Sequence, residues 1–133
     1  MKTAVIFWTG TGNTETMANA VAEGAGVSAV NVSDFNDDVS AYDALIFGCP
    51  AMGAEVLEED VFEPFFTSIE GKLSGKKVGL FGSYGWGDGE WMRNWEERVK
   101  AAGAELVADG VMANEAPDDD ALAACKALGE QFK

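Results

Sequence analysis

The regular alternation of short apolar runs with longer amphipathic stretches constrains this chain most. Five runs have the length of β-strands, and several are apolar at every position, as parallel strands are when both faces are covered. They span residues 3–8, 27–32, 44–48, 77–82 and 105–112. The alternation predicts an α/β fold whose parallel strands are joined by right-handed helical crossovers.

The stretches between these runs carry helical patterns. The first helix begins at Asn13 or Thr14, either of which can cap it, and the last follows Pro117 with three aspartates in its first turn. Between them, the segment 61–69 must place Pro64 in its first turn or kink there. The predicted inward faces are Met17, Val21 and Gly24, then Met92, Trp95 and Val99, and finally Leu122, Cys125 and Phe132.

At 133 residues the chain is expected to form one domain, residues 1–133. The natural architecture is a doubly wound five-stranded parallel sheet in the order 2-1-3-4-5, with helices on both faces. Ligands of such sheets bind beyond the carboxyl ends of the strands, where strands 1 and 3 diverge. The loops that follow Trp8, Gly48 and Gly82 are therefore the candidate binding loops.

The composition limits both partners and chemistry. Nine basic residues against 23 acidic ones give a formal charge of −14, and there is no histidine. Nucleic acid and anionic membranes are poor partners for this surface and a basic protein is a good one, although the charge also fits a role in solubility alone. Cys49 and Cys125 are expected to be buried, and we predict neither a catalytic group nor a metal site.

The apolar run near the N-terminus is followed at once by glycines, which is typical of a first core strand rather than a signal peptide. No apolar run approaches the roughly 18 residues of a membrane span. We expect a cytoplasmic monomer that does not bind membranes.

The loop after the first strand has the composition of an anion site. Its sequence is Thr9-Gly10-Thr11-Gly12-Asn13-Thr14. Glycines let the backbone approach a ligand closely, and the free N–H groups at the start of a helix favour an anion. The loop has no Lys or Arg and matches neither a Walker loop nor a dinucleotide fingerprint. It predicts a phosphate monoester held by neutral donors; the alternative is a threonine-rich turn that caps the helix.

Two further loops carry residues suited to a flat ligand. Strand 3 is followed by Cys49-Pro50-Ala51-Met52-Gly53-Ala54-Glu55, and strand 4 by Ser83-Tyr84-Gly85-Trp86-Gly87-Asp88-Gly89. Met52 and Trp86 can lie on opposite faces of a planar ring, which would contact sulfur on one side and indole on the other. The alternative, that Trp86 is a core residue, is disfavoured by the glycines around it.

Together, the three loops resemble the FMN loops of short-chain flavodoxins from anaerobic bacteria. The resemblance extends over nearly the whole chain, including Trp91-Met92-Arg93 and the Asn114-Glu115 turn, and strand 5 contains no long insertion. It implies the flavodoxin-like fold and one non-covalently bound FMN.

The resemblance also implies a role for each matching position. The implied FMN-binding residues are Thr9, Gly10, Thr11, Gly12, Asn13 and Thr14 in the first loop, Ala51, Met52, Gly53, Ala54 and Glu55 in the second, Ser83, Tyr84, Gly85, Trp86 and Gly87 in the third, and Asn114 after strand 5. The first loop would bind the phosphate, Met52 and Trp86 would cover the inner and outer ring faces, and Glu55 would accept from the ring N3–H. Ala54 departs from the family pattern, in which a polar or acidic residue is common.

The function that the resemblance implies is low-potential electron transfer in single steps, between the semiquinone and the hydroquinone. The partners would be redox proteins with basic docking surfaces, which the carrier would serve in place of ferredoxin-type carriers. An FMN-dependent NAD(P)H or quinone oxidoreductase is the alternative, although the short chain offers no second substrate pocket. A response-regulator receiver is excluded, because Thr9, Cys49 and Ser83 stand where its acidic cluster, phosphoacceptor aspartate and lysine would be.

Overall fold

A computed structural model describes all residues, 1–133. The strands are β1 Thr3–Phe7, β2 Ala29–Asn31, β3 Ala44–Gly48, β4 Lys77–Tyr84, β5 Glu105–Leu106 and β6 Val111–Asn114. The helices are α1 Asn13–Ala25, α2 Phe62–Glu70, α3 Glu90–Ala101 and α4 Asp119–Glu130. All strand pairs are parallel, and the order β2-β1-β3-β4-β5 confirms the predicted fold, with β6 continuing the edge beside β4.

The fifth predicted strand, 105–112, is not continuous, and this prediction was wrong in detail. Val78 of β4 pairs with Leu106 and Phe81 pairs with Val111, so the edge advances five residues while β4 advances three. The extra residues interrupt the edge with a bend at Ala108, and the N–H of Gly110 donates to Glu96 Oε2 on α3 at 2.7 Å. The bend directs β6 toward the carboxyl end of the sheet.

Alternate side chains of the sheet face two apolar clusters. Ala4 and Ile6 of β1 face a cluster shared with α2 and α3, whereas Val5 and Phe7 face one shared with α1 and α4. This two-residue period is that of a strand covered on both sides. The predicted placement of helices on both faces is therefore confirmed.

The predicted inward faces of the helices are largely confirmed. Met17, Val21 and Gly24 are buried in α1, and Met92, Trp95 and Val99 in α3. In α4, Cys125 and Leu128 are buried, but Leu122 is only half-buried, so its predicted burial was wrong. The buried side runs through Cys125 and Leu128 to Phe132 just beyond the helix, which leaves Leu122 near the rim.

The N-termini of α1, α2 and α4 are closed in three different ways. The prediction that Asn13 or Thr14 caps α1 was wrong, since the cap is Gly12 in the left-handed region with no side-chain bond. The buried carboxylate of Glu58 closes α2 by accepting three backbone N–H groups at 2.8 Å each, and Pro64 lies in the first turn as predicted. Asp118 caps α4 by accepting the N–H of Ala121 at 2.8 Å.

An ion-pair network joins α2 to α3 on one face of the sheet. The Arg98 guanidinium donates to Glu63 and Glu70 at 2.8–3.1 Å and lies over the Phe66 ring. Hydrogen bonding to Arg98 lowers the pKa of the Glu63 carboxyl. The network ties α3, whose N-terminus borders the candidate site, to the neighbouring helix.

None of the four helices combines the length and apolar character needed to cross a membrane.

Candidate cofactor site

The three candidate loops predicted from the sequence meet at the carboxyl ends of β1, β3 and β4, around a cavity of about 360 Å³. The predicted residues that line it are Gly10, Thr11, Asn13, Ala51, Met52, Ser83, Tyr84 and Gly85. The remaining predicted residues flank the cavity or lie behind it without lining it: Thr9, Gly12, Thr14, Gly53, Ala54, Glu55, Trp86, Gly87 and Asn114. The cavity is thus at the predicted switch point between β1 and β3.

Trp8, Pro50 and Glu115 also line the cavity, and the sequence prediction omitted them. Trp8 and Glu115 directly follow the carboxyl end of a strand and Pro50 is the second residue after one, which is the signal that could have identified them. Trp8 packs over Gly10, where a Cβ would lie 3.1 Å from the indole. Glu115 has a φ of +58°, and its N–H donates to the Tyr84 carbonyl at 2.7 Å.

The first loop presents unpaired backbone donors. The N–H of Gly12 donates to Thr9 Oγ1 at 3.0 Å, and Gly12 turns the chain into α1 with a φ of +97°. Five other N–H groups donate to no protein atom, those of Thr9, Gly10, Thr11, Thr14 and Glu15. They belong to the loop and to the first turn of a 13-residue helix, whose dipole is positive there. This donor set fits a phosphate group without any cationic side chain.

Thr14 is almost fully buried, at 1% exposure. Its hydroxyl oxygen lies 3.0 Å from that of Ser83 at the end of β4. The first loop is thereby connected to the third beneath the cavity.

The second loop is a tight turn closed by a short antiparallel bridge. The N–H of Met52 donates to the Val56 carbonyl at 2.8 Å, and the N–H of Val56 donates back at 3.0 Å. Gly53 and Glu55 both have positive φ, +49° and +57°, inside this turn. Met52 is 37% exposed at the mouth of the cavity, a position suited to covering one face of a ring.

The Glu55 carboxylate is buried behind the cavity. Its Oε1 accepts the N–H groups of Gly89 and Glu90 at 3.2 Å each, at the positive N-terminus of α3. A side chain on Gly87 would overlap this carboxylate, so glycine at that position leaves room for it. Glu55 thus connects the second loop to the third.

The third loop exposes an indole. Trp86 is 65% exposed, which excludes the core role that the sequence had left open. In contrast, Trp91 is buried and donates from Nε1 to the Cys49 carbonyl at 3.1 Å. Asn114 donates from Nδ2 to the Tyr84 carbonyl at 3.4 Å, so the turn after β6 is attached to this loop.

The cysteines are buried, as predicted, and both are free thiols. Burial raises the pKa of Cys49, and it raises the pKa of the Cys125 thiol to about 12. Both thiols stay protonated near neutral pH and lack the thiolate that nucleophiles and metal ligands need. The side chains nowhere form a group of three or more His, Cys, Asp or Glu that could hold a metal ion.

A family model described as flavodoxin matches residues 5–129. The chain belongs to the flavodoxin family. The flavodoxin of Megasphaera elsdenii is 52% identical over 132 residues, 95% of this chain and 94% of that protein. The flavodoxin of Clostridium beijerinckii is 51% identical over 121 residues, 86% of this chain and 88% of that protein.

A solved structure gives the same family at the level of the fold. The solution structure of two-electron reduced Megasphaera elsdenii flavodoxin superposes with a TM-score of 0.88, at 48% identity over 98% of this chain and 97% of that one. The protein described here is a flavodoxin of the short-chain type, which binds FMN and transfers electrons to redox partners. It is therefore an electron-transfer protein rather than an enzyme. The alternative of an NAD(P)H or quinone oxidoreductase is not favoured.

Proposed function

We propose that this flavodoxin, as one 133-residue domain, is a low-potential carrier that holds FMN across its three loops and exchanges single electrons with basic partner proteins. The observation that carries the proposal is the set of unpaired N–H groups at the start of α1, which borders the same cavity as Met52 and Tyr84. One end of the cavity suits a phosphate and the other suits a planar ring.

In this proposal the first loop holds the phosphate. The N–H groups of Gly10, Thr11, Thr14 and Glu15 donate to it, with the positive end of the α1 dipole behind them. Thr9, Gly12 and Asn13 shape the loop, since Thr9 and Thr11 accept from the backbone within it. Because the loop contains no lysine or arginine, no side chain in it neutralises the negative charge of the phosphate.

The other two loops hold the ring. Met52 covers its inner face and Trp86 its outer face, with Ala51, Tyr84 and Gly85 along the cavity wall. Gly53, Ala54 and Glu55 form the turn that presents Met52, and Gly87 leaves room for the Glu55 carboxylate. Asn114 holds the neighbouring turn against Tyr84.

Bound FMN supplies the redox chemistry, because it accepts and releases electrons one at a time. The chain sets the energy of that chemistry by its charge. A protein of net charge −14 with a buried carboxylate at Glu55 disfavours additional negative charge in the cavity, which lowers the potential of the most reducing step.

The same charge determines the kind of partner. Acidic residues near the cavity mouth include Asp88, Glu90 and Glu115, all exposed. The one nearby arginine, Arg93, pairs with Asp88 at 3.0 Å. A basic docking surface, such as one that also accepts a ferredoxin-type carrier, is attracted to this edge, whereas nucleic acid and anionic membranes are repelled. We place this carrier in the cytoplasm as a monomer.

Stepwise reduction of the purified holoprotein, followed by visible spectroscopy, tests the proposal. We expect one FMN per chain and two separate one-electron steps, the second well below that of free FMN. A second potential at or above the free value contradicts the low-potential role. Rapid oxidation of NAD(P)H by the holoprotein alone would instead support the oxidoreductase alternative. Sedimentation equilibrium and cell fractionation check the oligomeric state and the location.

A further inference from the structure

Strand β6 forms an open edge of the sheet. Its residues, Val111–Asn114, pair with β4 on one side, and no strand pairs with them on the other. In a parallel ladder the N–H and C=O of one residue point to the same side, and successive residues alternate between the two sides. The N–H of Glu115 donates to the Tyr84 carbonyl at 2.7 Å, so residues 111, 113 and 115 face β4. The backbone groups of Met112 and Asn114 therefore point away from the sheet.

These outward groups are accessible and have no partner within the protein. Met112 is 43% exposed and Asn114 is also exposed, whereas Ala113 between them is buried. No loop, turn or side chain bonds to the N–H or C=O of Met112 or Asn114. Two N–H and two C=O groups in this alternation form the pairing edge that an added strand requires.

A second cavity of about 360 Å³ lies against this edge. It is on the face of the sheet that α4 covers, since Ala113 lines it and belongs to the cluster shared with α1 and α4. The side chains that line it from the following turn and from α4 are small: Ala116, Ala121 and Ala124. Their methyl groups leave space for every second side chain of a strand added to β6.

The charge around the edge is uniformly negative. Asp109 precedes β6, Glu115 follows it, and Asp118 and Asp120 line the second cavity; all four are exposed. None of their carboxylates has a Lys or Arg nitrogen within 4.0 Å. The edge therefore attracts a strand that carries lysine or arginine, and it repels a second copy of this chain, whose net charge is −14.

We propose that the β6 edge is a docking site for an extended, lysine- or arginine-rich segment of a redox partner, which adds a strand to the sheet. Its backbone pairs with Met112 and Asn114, and its basic side chains meet Asp118 and Asp120. The proposal rests on the proposed role as a carrier that meets basic partner proteins. It adds a defined backbone contact to the general attraction of charge.

The position of the edge gives this docking a use in electron transfer. β6 ends at Asn114, and the next residue, Glu115, lines the FMN cavity. A strand on β6 thus places the partner beside the flavin. The other edge strand, β2, ends at Asn31, and none of its residues lines that cavity. Pairing at β2 would not bring a partner to the flavin.

A short synthetic peptide of alternating lysine and valine is the probe. It is added to the holoprotein at low ionic strength, and amide hydrogen exchange is followed residue by residue. At saturating peptide, exchange at the N–H groups of Met112 and Asn114 should slow about tenfold, because each gains an acceptor. Exchange at Ala113, whose N–H already faces β4, should stay unchanged.

Two matched peptides separate backbone pairing from charge. One carries N-methyl groups at alternate residues, so it keeps its lysines and loses the donors of one edge. The other has proline in place of valine, which prevents a regular ladder at the same charge. Each should bind about tenfold more weakly than the parent peptide. Equal affinities of the three peptides would show attraction by charge alone and would overturn the docking mode.

Variants of α4 test the second cavity. Ala124→Phe places a ring in the cavity and should weaken the parent peptide about tenfold. Ala123→Phe is the matched control, since Ala123 is exposed on the same helix and does not line the cavity. It should leave the affinity unchanged. Equal losses in the two variants would contradict the assignment of the cavity, and the melting temperature of each checks that the fold is retained.

A pair of charge variants tests the acidic side chains. Asp120→Asn removes a carboxylate from the cavity and should weaken the peptide about threefold. Asp34→Asn makes the same change near the β2 edge, where Asp34 is exposed, and should have no effect. Slowed exchange at residues 29–31 in place of Met112 and Asn114 would assign the peptide to the wrong edge and overturn the proposal.

The failure of this docking site is distinguishable from failure of the proposed function. Two separate one-electron steps of bound FMN without slowed exchange at Met112 and Asn114 would contradict the docking site alone. Slowed exchange at both residues in a chain that binds no FMN would contradict the proposed function alone.

Discussion

The first and second loops of the site achieve binding by different means. The first presents unpaired backbone N–H groups at the start of a long helix packed on the core, and it contains no charged side chain. The second is a short turn closed by two hydrogen bonds, in which Met52 and Gly53 are exposed and the Glu55 carboxylate is buried. The first is therefore suited to anchoring a ligand, and the second to adjusting its chemistry.

The difference has a thermodynamic consequence. A phosphate group carries the same charge before and after the ring is reduced, so a change in the first loop alters the affinity of every redox state equally. A change near the ring alters the states unequally, and unequal affinities shift a one-electron potential by about 59 mV per tenfold difference.

The largest effect is expected from Gly87→Ala, at the contact between the second and third loops. Gly87 has a φ of +89°, and the added methyl would overlap the Glu55 carboxylate. Backbone strain and displacement of the carboxylate together should cost about 2–3 kcal/mol, which lowers the affinity for FMN about 100-fold. Titration of the apoprotein with FMN, followed by flavin fluorescence, measures this loss.

Gly75→Ala is the matched control, since Gly75 has a φ of +79° in a turn far from the cavity with space for the methyl. It should lower the free energy of unfolding and leave the affinity for FMN unchanged. An equal affinity for Gly87→Ala and the wild type would show that the Glu55 carboxylate is not required where it lies.

An intermediate effect is expected from substituting a matched pair of glycines, one in the first loop and one in the second. Gly12 and Gly53 both have positive φ, and a methyl on either meets no atom within 4 Å, so each substitution costs only backbone strain. Gly12→Ala should weaken FMN binding about tenfold, at about 1–2 kcal/mol, and leave both reduction potentials unchanged. Gly53→Ala should instead bring the two potentials closer together.

Spectroelectrochemical titration of both variants beside the wild type decides this comparison. If Gly12→Ala shifted the potentials as much as Gly53→Ala, the assignment of anchoring to one loop and adjustment to the other would be wrong.

A smaller effect is expected from Glu55→Gln. The amide oxygen can still accept the N–H groups of Gly89 and Glu90, so the turn is retained while a buried negative charge is removed. Both potentials should rise, by about 30–60 mV for the more reducing step. Redox titration at fixed ionic strength measures the shift.

Ala54→Asp tests the same electrostatic argument with the opposite sign. Ala54 is exposed, so its added charge is screened by water and should lower the potential by less than Glu55→Gln raises it. Ala54→Asn separates charge from shape. A larger shift from Ala54→Asp than from Glu55→Gln would show that burial does not control the effect.

Much of the fold could be predicted from local patterns. Fully apolar runs such as Ala44–Gly48 predicted buried parallel strands, and the periodic positions Met92, Trp95 and Val99 predicted the inner face of α3. These predictions succeeded because burial on both faces of a sheet determines composition residue by residue. The candidate loops could be located for the same reason, since the order of the strands determines which loops share an edge.

The failures depend on contacts between distant residues. The interruption of the edge strand depends on the bond from Gly110 to Glu96 on another element, and no local pattern predicts it. In the sequence, Glu58 looks like any surface glutamate, although in the structure it is buried and accepts N–H groups at the start of α2. Trp8 and Glu115 directly follow strand ends, but which side chains at that edge line the cavity depends on how the sheet is assembled.

The sequence by itself determined the α/β class, the order of the strands and the chemical type of the three loops, because these follow from composition and spacing along the chain. Only the tertiary structure decided that Thr14 is bonded to Ser83 and that Glu55 faces the start of α3. Thr14 and Ser83 are 69 positions apart, and Glu55 and Gly89 are 34 apart. Such pairings arise only when packing of the sheet and helices brings the strand ends together, and they leave no periodic signal in the chain.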